Sequence, residues 1–564
     1  MSYFKRDRFN GTAPAVSPRL LADQFGQVAE NVDLESGRLV AVKDDLLHYT
    51  LDNSARGSIY FYRDTTWLEW GNDDVSVVPG PIPNDVNDRL YFTGNGYPKY
   101  GTVASLVSGA SYPNQSYRLG VPAPATTPTV TLSGTADPDA TPNDVSYVYT
   151  YVTDLGEEGP PSAPSAVIAM TDGQTANISN FSTLAGNYLF GNAAQKRLYR
   201  SNTGSTNTTF QFVKTLVHTI ASTTDNTDSA LLAEVLPSSD WIGPPDDNTS
   251  LYPDGPLQGL IPLSQGVMAG FTGKRFCLSV PYLPHAWPIS YRITTEEDIV
   301  AIASTANGVV ALTDGQPYFI TGTEPSAMTS IRVDLAQACV NTRSVVDMGD
   351  YVLYAGPDGL CAVESAQGQV ITRGLASVEQ WNADYNPTTI RAFQHEGTYV
   401  AFHAGGGWVF DPRAGENALT TLTLSADVRG GYMNPKDGEL YLIVGDKINK
   451  YRGGSTSKTL KFKSKKFVTP YPVSMGWIHV HANIYPVTVK VWGDGTLVAH
   501  YVLSKPGATF TQTTTVPSGI SNGTLYEPIM RMPAVVAQEW EVQVEGTDIN
   551  EFCLAQSIDE IRAT

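Results

Sequence analysis

The sequence predicts an all-β, multi-domain chain, and three observations carry that expectation: its length, its turn-rich and β-branched composition, and the recurrence of short apolar strands between Gly or Asp turns. At 564 residues the chain exceeds the ~250 to 300 residues at which a single hydrophobic core stops growing, so three or four domains are expected. Hydrophobic residues make up 41% and charged residues 16%, enough for packed cores and against disorder. With 50 Gly, 37 Pro and 29 Tyr, the composition favours strands joined by tight turns, because aromatic and β-branched side chains fit a pleated surface.

The N-terminal segment, residues 1–120, reads as an arm followed by hairpins, with Ser58–Tyr62 and 88–92 (DRLYF) as aromatic strands that run into polar turns. The Pro-rich stretch at 121–124 and Pro244-Pro245 near 247 bracket a segment of different character. Inside it, 145–152 (VSYVYTYV) alternates strictly and runs into a Gly-Glu-Glu-Gly turn and a Pro-Pro-Ser stretch. This resembles a fibronectin type III sandwich; some other antiparallel sandwich is the plainer reading.

Residues 248–455 return to a repeated pattern. Each unit has a Gly or Asp turn, an apolar strand, a second turn and a second strand: 307–320, 349–363, 396–410 and 437–448, with 270–278 as a further member. The step of about 40 to 47 residues matches the period of β-propeller blades, and six or so blades are expected, the N-terminal hairpins closing the circle. From residue 456 to 564 the composition shifts again, and the alternating strands 487–492 and 541–546 predict a C-terminal β-sandwich.

The net charge of −19 opposes phosphate contact over most of the surface, which argues against a conventional DNA-binding protein and is consistent with an acidic conduit. Cys277, Cys339, Cys361 and Cys553 are far apart without Cys-x-x-Cys spacing, so buried free thiols are expected rather than a zinc site or a disulfide scaffold. The opening MSYFKRDRFNGTAP lacks an apolar core and no stretch approaches the ~18 apolar residues of a membrane span, predicting synthesis in a cytosol without cleavage or stable membrane insertion.

No zinc-protease helix, serine elbow or Cys-His metal spacing is present. Gly273-Lys274 fails as a phosphate loop, since Met268 and Arg275 stand where Gly and Ser or Thr are required. Asp225, Asn226 and Asp228 form a turn without the Gly and distal Glu of a calcium loop. His479 and His481 share one face of a strand, which fits a solvated face or a metal pair. The chain is therefore expected to be non-enzymatic, with no cofactor and no catalytic or metal-ligating set. The one charge anomaly is Lys458, Lys461, Lys463, Lys465 and Lys466, read either as lysine protection of an edge strand or as contact with DNA or an acidic neighbour.

Several phrases together resemble the nozzle, or tail tubular protein B, family of short-tailed bacteriophages, with packaged-DNA stabilisation hubs as more distant analogues. The opening 22–34 (ADQFGQVAENVDL) followed by Ser36-Gly37-Arg38-Leu39 is similar to that family's first turn and strand. The segment 278–288 (LSVPYLPHAWP) resembles its Ala-Trp-Pro phrase. Arg531-Met532-Pro533, the strand 542–546 and 554–561 (LAQSIDEI) resemble its closing pattern, with Met532 and Ile561 in place of the usual Leu. The resemblance implies a virion structural protein of the tail that forms a cyclic oligomer, a hexamer, below an adaptor and portal-proximal ring. It also implies contact with tail fibres or spikes through the insert, retention of the genome and passage of DNA through the lumen at ejection. A receptor- or glycan-binding tail protein and a propeller glycoside hydrolase are the alternatives.

Overall fold

The computed structural model describes the chain except residues 1–2, 72–73, 110, 172, 185, 204–206, 414–417, 504–508, 513–522, 525–528 and 564. Among the described residues lie 48 strands and three short α-helices, so the chain is all-β. It divides into two compact units: Tyr62–Arg332, and Met1–Phe61 together with Val333–Thr564.

The Tyr62–Arg332 unit holds three four-stranded antiparallel sheets whose strand order follows the chain, the up-and-down pattern of propeller blades. The first is Ser76–Pro79, Leu90–Thr93, Lys99–Gly101 and Tyr117–Arg118. The second is Gln258–Pro262, Met268–Thr272, Arg275–Leu278 and Ile293–Thr294, and the third runs from Ile299–Thr305 to Thr329–Arg332. Hairpins read from the sequence at 270–278 and 307–320 supply the second and third strands of their blades. These middle strands are buried on both faces: Met268–Thr272 has no exposed position. The reason is stacking, since Tyr91, Leu257, Met268 and Trp287 share a core between the first two blades, and Phe271, Phe276, Val309 and Ile320 between the next two. A strand covered on both sides needs a continuous apolar run rather than alternation.

The insert 121–247 is an antiparallel sandwich. One sheet joins Thr129–Ser133, Thr175–Ser179 and Thr223–Asp225; another joins Tyr147–Val152, Gln195–Thr203 and Thr208–Val217. Tyr147, Tyr149, Tyr151, Ile178 and Leu198 fill the core. The Asp225 turn holds no calcium loop: Asp225 is fully buried, 2.9 Å from Arg200, and accepts the Tyr147 hydroxyl at 2.8 Å. Asp228 caps the short 3-10 turn Ser229–Leu231.

The other unit also holds three blades. Val346–Asp347 to Gln367–Val370 form one, and Arg391–His395 to Ala418–Leu422 the next. The last is Val428–Asn434, Glu439–Val444 and Lys447–Lys450, and its fourth strand comes from far upstream, Leu46–Thr50. The fourth strand of this blade thus lies in sequence between the arm and the first aromatic strand. Helix Val378–Asp384 begins at a capping box in which the Ser377 hydroxyl accepts from the Gln380 N–H, and Trp381 on that helix packs on Trp408.

The C-terminal sandwich is not made of residues 456–564 alone. Tyr3–Arg6 and Leu39–Ala41 pair with Asp548–Ala555, and Gly26–Glu30 pairs with Leu460–Ser464. Ala29, Val32, Leu39, Phe462, Val489, Trp540 and Phe552 lie in one core. Of the segment expected as 1–120, the arm is thus built into the C-terminal sandwich, where its strands supply ladder partners for the N–H and C=O groups of Asp548–Ala555 and Leu460–Ser464.

Candidate functional site

The five lysines singled out in the sequence lie on and around Leu460–Ser464. This strand alternates: Leu460, Phe462 and Ser464 point into the sandwich, which turns Lys461 and Lys463 to the opposite face. It is not an edge strand. Gly26–Glu30 pairs on one side and Val536–Gly546 on the other, so lysine protection of an open edge does not apply.

Each ammonium group has a partner within the chain. Lys461 lies 3.2 Å from Glu30 and Lys465 3.2 Å from Asp23, both on the N-terminal arm. Lys463 pairs with Glu541 and stands 4.6 Å over the Trp492 ring. Lys466 lies 3.4 Å from both Glu539 and Glu541, and Lys458 donates to the Thr423 carbonyl at 2.8 Å. Glu541 is the centre of the group. Burial pushes its carboxyl upward, but hydrogen bonds from Lys463 and Gln27, together with the nearby Lys466, outweigh burial and hold it below the usual carboxylate range. The lysine face therefore fastens the arm to the C-terminal sandwich, and the carboxylates that complete it lie up to several hundred residues away along the chain.

Beside the arm opens a cleft of about 630 Å³. Four arginines line it, Arg8, Arg38, Arg413 and Arg452, facing Asp33 and Asp411 among other carboxylates. Arg452 lies 3.2 Å from Asp33, and Arg413 grips both oxygens of Asp411 at 3.0 and 3.1 Å. The mixture of signs gives no single polarity that would select a polyanion. His479 and His481 share a face of Trp477–Ile484, with His479 Nδ1 3.8 Å from Glu551. Among the described residues no group of three His, Cys, Asp or Glu side chains is arranged to hold a metal ion. All four cysteines are buried free thiols, and burial pushes Cys277 up to about 11 and Cys339 and Cys361 up to about 12.

One polar cluster escaped the sequence reading. Arg89, on the first blade, lies 2.5 Å from Asp85 and 2.9 Å from Glu157 in the turn of the insert, with all three side chains at most 10% exposed. The sequence showed Glu157 only as part of a turn; nothing local announced a partner 68 residues away. Burial drives the Glu157 carboxyl up to about 6 despite Arg89, and His285, buried nearby, is driven down to about 4 by burial and by Arg89.

No family model matches the sequence, and no curated protein matches it. Similar solved structures include BBS1N in complex with ARL6DN, with 10% identity, 58% of this chain and 97% of that chain covered and a TM-score of 0.25. The Neurospora crassa Pan2 WD40 domain has 8% identity, 52% and 86% coverage and a TM-score of 0.24. YCF48 from Cyanidioschyzon merolae has 11%, 51% and 94%, with a TM-score of 0.25. Likenesses of this size carry nothing about function.

Proposed function

We propose that this chain is a non-enzymatic structural protein of a bacteriophage tail, a ring-forming nozzle or hub that extends the DNA channel, helps retain the genome and passes it at ejection. The observation that supports this best is where the resembling phrases fall. The opening phrase holds Gly26–Glu30, Val32–Asp33 and the first residue of Leu39–Ala41, and the closing phrase holds the second half of Val536–Gly546 and the last two residues of Asp548–Ala555; these strands fold into one sandwich. Phrases separated by some 500 residues are thus parts of one module. The middle phrase has its own structural reason: Trp287 is buried and donates its indole N–H to the Pro284 carbonyl at 2.8 Å.

Charge agrees with a conduit. Residues 62–332 hold 12 Lys and Arg against 25 Asp and Glu, and carboxylates facing a lumen repel phosphate and let DNA slide, whereas a basic lining holds it through counterion release. The lysines at 458–466, expected as possible DNA or partner contacts, serve in this reading as internal fasteners of the arm. Electron microscopy of the purified protein and of virions tests the proposal: a cyclic oligomer on the tail axis is expected. A monodisperse monomer absent from particles overturns it, and sugar release from host polysaccharide would replace it with a hydrolase.

A further inference from the structure

We infer that the 121–247 sandwich is a hinged module locked by Arg89: gripped by Asp85 on its own blade, Arg89 bolts the Glu157 turn of the sandwich in place, and breaking that pair frees the sandwich to turn about the crossing of Gly120 and Gly243. This rests on the internal geometry of the Tyr62–Arg332 unit and not on the nozzle reading.

The pivot is visible in the backbone. The chain enters and leaves the insert at one point, where a Cβ on Gly120 would lie 2.7 Å from the Gly243 Cα, and Gly120 has φ +94°. No side chain fits that crossing, and Gly120 adopts a conformation that other residues resist. The chain is pinned to the blades on both sides of Gly243, just before it by the Trp287 N–H to the Ile242 carbonyl at 2.7 Å and just after it by the Leu257 N–H to the Pro245 carbonyl at 2.9 Å. Two strands of chain crossing at one point leave rotation open, so contacts away from the crossing must set the orientation.

Those contacts form a seam of two insert loops against the first blade. The loops are tied together, since the Asp154 N–H donates to the Leu189 carbonyl at 3.2 Å and the Gly191 N–H donates to the Asp154 carboxylate at 2.9 Å. Leu155 and Leu189 are the insert's apolar contributions to the core between the first two blades. Asn187 donates to the Ser116 carbonyl at 2.8 Å, its own carbonyl accepts the Arg118 N–H at 2.7 Å, and the Arg118 guanidinium stacks 3.9 Å from the Tyr97 ring centre. The buried ionic contact is Arg89 with Glu157, whose exposures are 7% and 6%. Around it the seam is polar: the buried His285 ring meets the Glu158 backbone, the buried Tyr91 hydroxyl meets Arg89, and the Tyr100 hydroxyl is buried beside them. A seam of this kind has the character of a separable module interface rather than of a domain core. Asp85 gives the lock its direction. It holds Arg89 through two contacts on the blade side, accepting also the Arg89 backbone N–H at 3.4 Å, so the cation stays with the blade when the insert departs.

Hydrogen exchange on the full chain tests the lock, using Arg89→Met and the gentler Glu157→Gln. Removing one member of a buried pair is expected to speed exchange of the Arg118 amide, whose bond to the Asn187 carbonyl crosses the seam, by about 100-fold in Arg89→Met and about 10-fold in Glu157→Gln. Protection in Tyr147–Val152 and Gln195–Thr203 should stay as in the parent. Spin labels at Ser133 and Ile331 should show a broadened distance distribution in the same variants. Unchanged exchange at the seam overturns the inference. So does equal loss of protection in the seam and the sandwich strands, which would make Arg89 a support of the fold. If Arg89→Met does not accumulate as folded protein, Glu157→Gln decides by the same criteria.

Discussion

The two sandwiches of this chain reach the same architecture by opposite routes. The insert takes all its strands from one continuous stretch, 121–247, and meets its blade through a seam that holds the buried Arg89–Glu157 pair and two leucines. The C-terminal sandwich draws strands from 3–41 and from 460–555, and fastens them with core, ladder and ion pairs. A module contiguous in sequence can be swung or removed, whereas one assembled from distant strands ties its whole unit together.

Deletion is the strongest way to break this contrast. Removing 121–243 and joining Gly120 to Pro244 should leave a soluble chain in which the unit of Met1–Phe61 and Val333–Thr564 melts as in the parent. Removing residues 1–41 should abolish soluble, cooperatively melting protein, as followed by expression yield and circular dichroism.

Next in size is the shared core. Trp540 is fully buried and donates to the Ala537 carbonyl at 3.1 Å, so Trp540→Ala should cost about 3 to 5 kcal/mol in urea denaturation. Close behind is Lys463→Met, which leaves Glu541 buried with Lys466 as its remaining cation and Gln27 as its remaining amide donor, and should cost about 2 kcal/mol by the same measurement.

The two modules should also differ in their response to pH. Glu541 is held below its ordinary 4.5, so its stabilisation of the C-terminal sandwich is present above pH 4.5 and is lost as pH falls through the lower folded value. Glu157 at the insert seam behaves oppositely. Burial raises it from 4.5 to about 6, so its contribution is full below pH 4.5 and is lost as pH rises through 6. His285, lowered from 6.5 to about 4, offsets this, because the folded state loses stability as pH falls between those values. Glu157→Gln should therefore uncover the histidine and give an acid-side loss of roughly 2 kcal/mol by pH 5, read from denaturation at several pH values. The smallest effect belongs to Lys465→Ala, whose partner Asp23 is 68% exposed; a change within about 0.5 kcal/mol is expected.

Legibility in the sequence followed the same division. Second and third blade strands such as Gly308–Thr313 and Tyr399 to Phe402 were readable, because an apolar run beside a Gly or Asp turn is a local signal. Outer strands were not. Val346–Asp347 has two residues, and Leu46–Thr50 is largely exposed, so neither carries a buried pattern. The lysines stood out as a charge anomaly, but their meaning lay in Glu30, Asp23 and Glu541, which no spacing connects to them. The Arg89 and Glu157 pair was hidden for the same reason, each residue being ordinary in its own neighbourhood.

The pairing of Tyr3–Arg6 with Phe552 to Ala555 also sets a timetable. At ribosomal speeds of ~5 to 20 residues per second, the partner strand appears on the order of a minute after the arm has left the exit tunnel. During that interval the arm is a strand without a sheet, open to chaperones and to the arms of neighbouring nascent chains. Ribosomes stacked on one message would then set how often arms meet the wrong partner, and slower initiation should raise the yield of correctly closed protein.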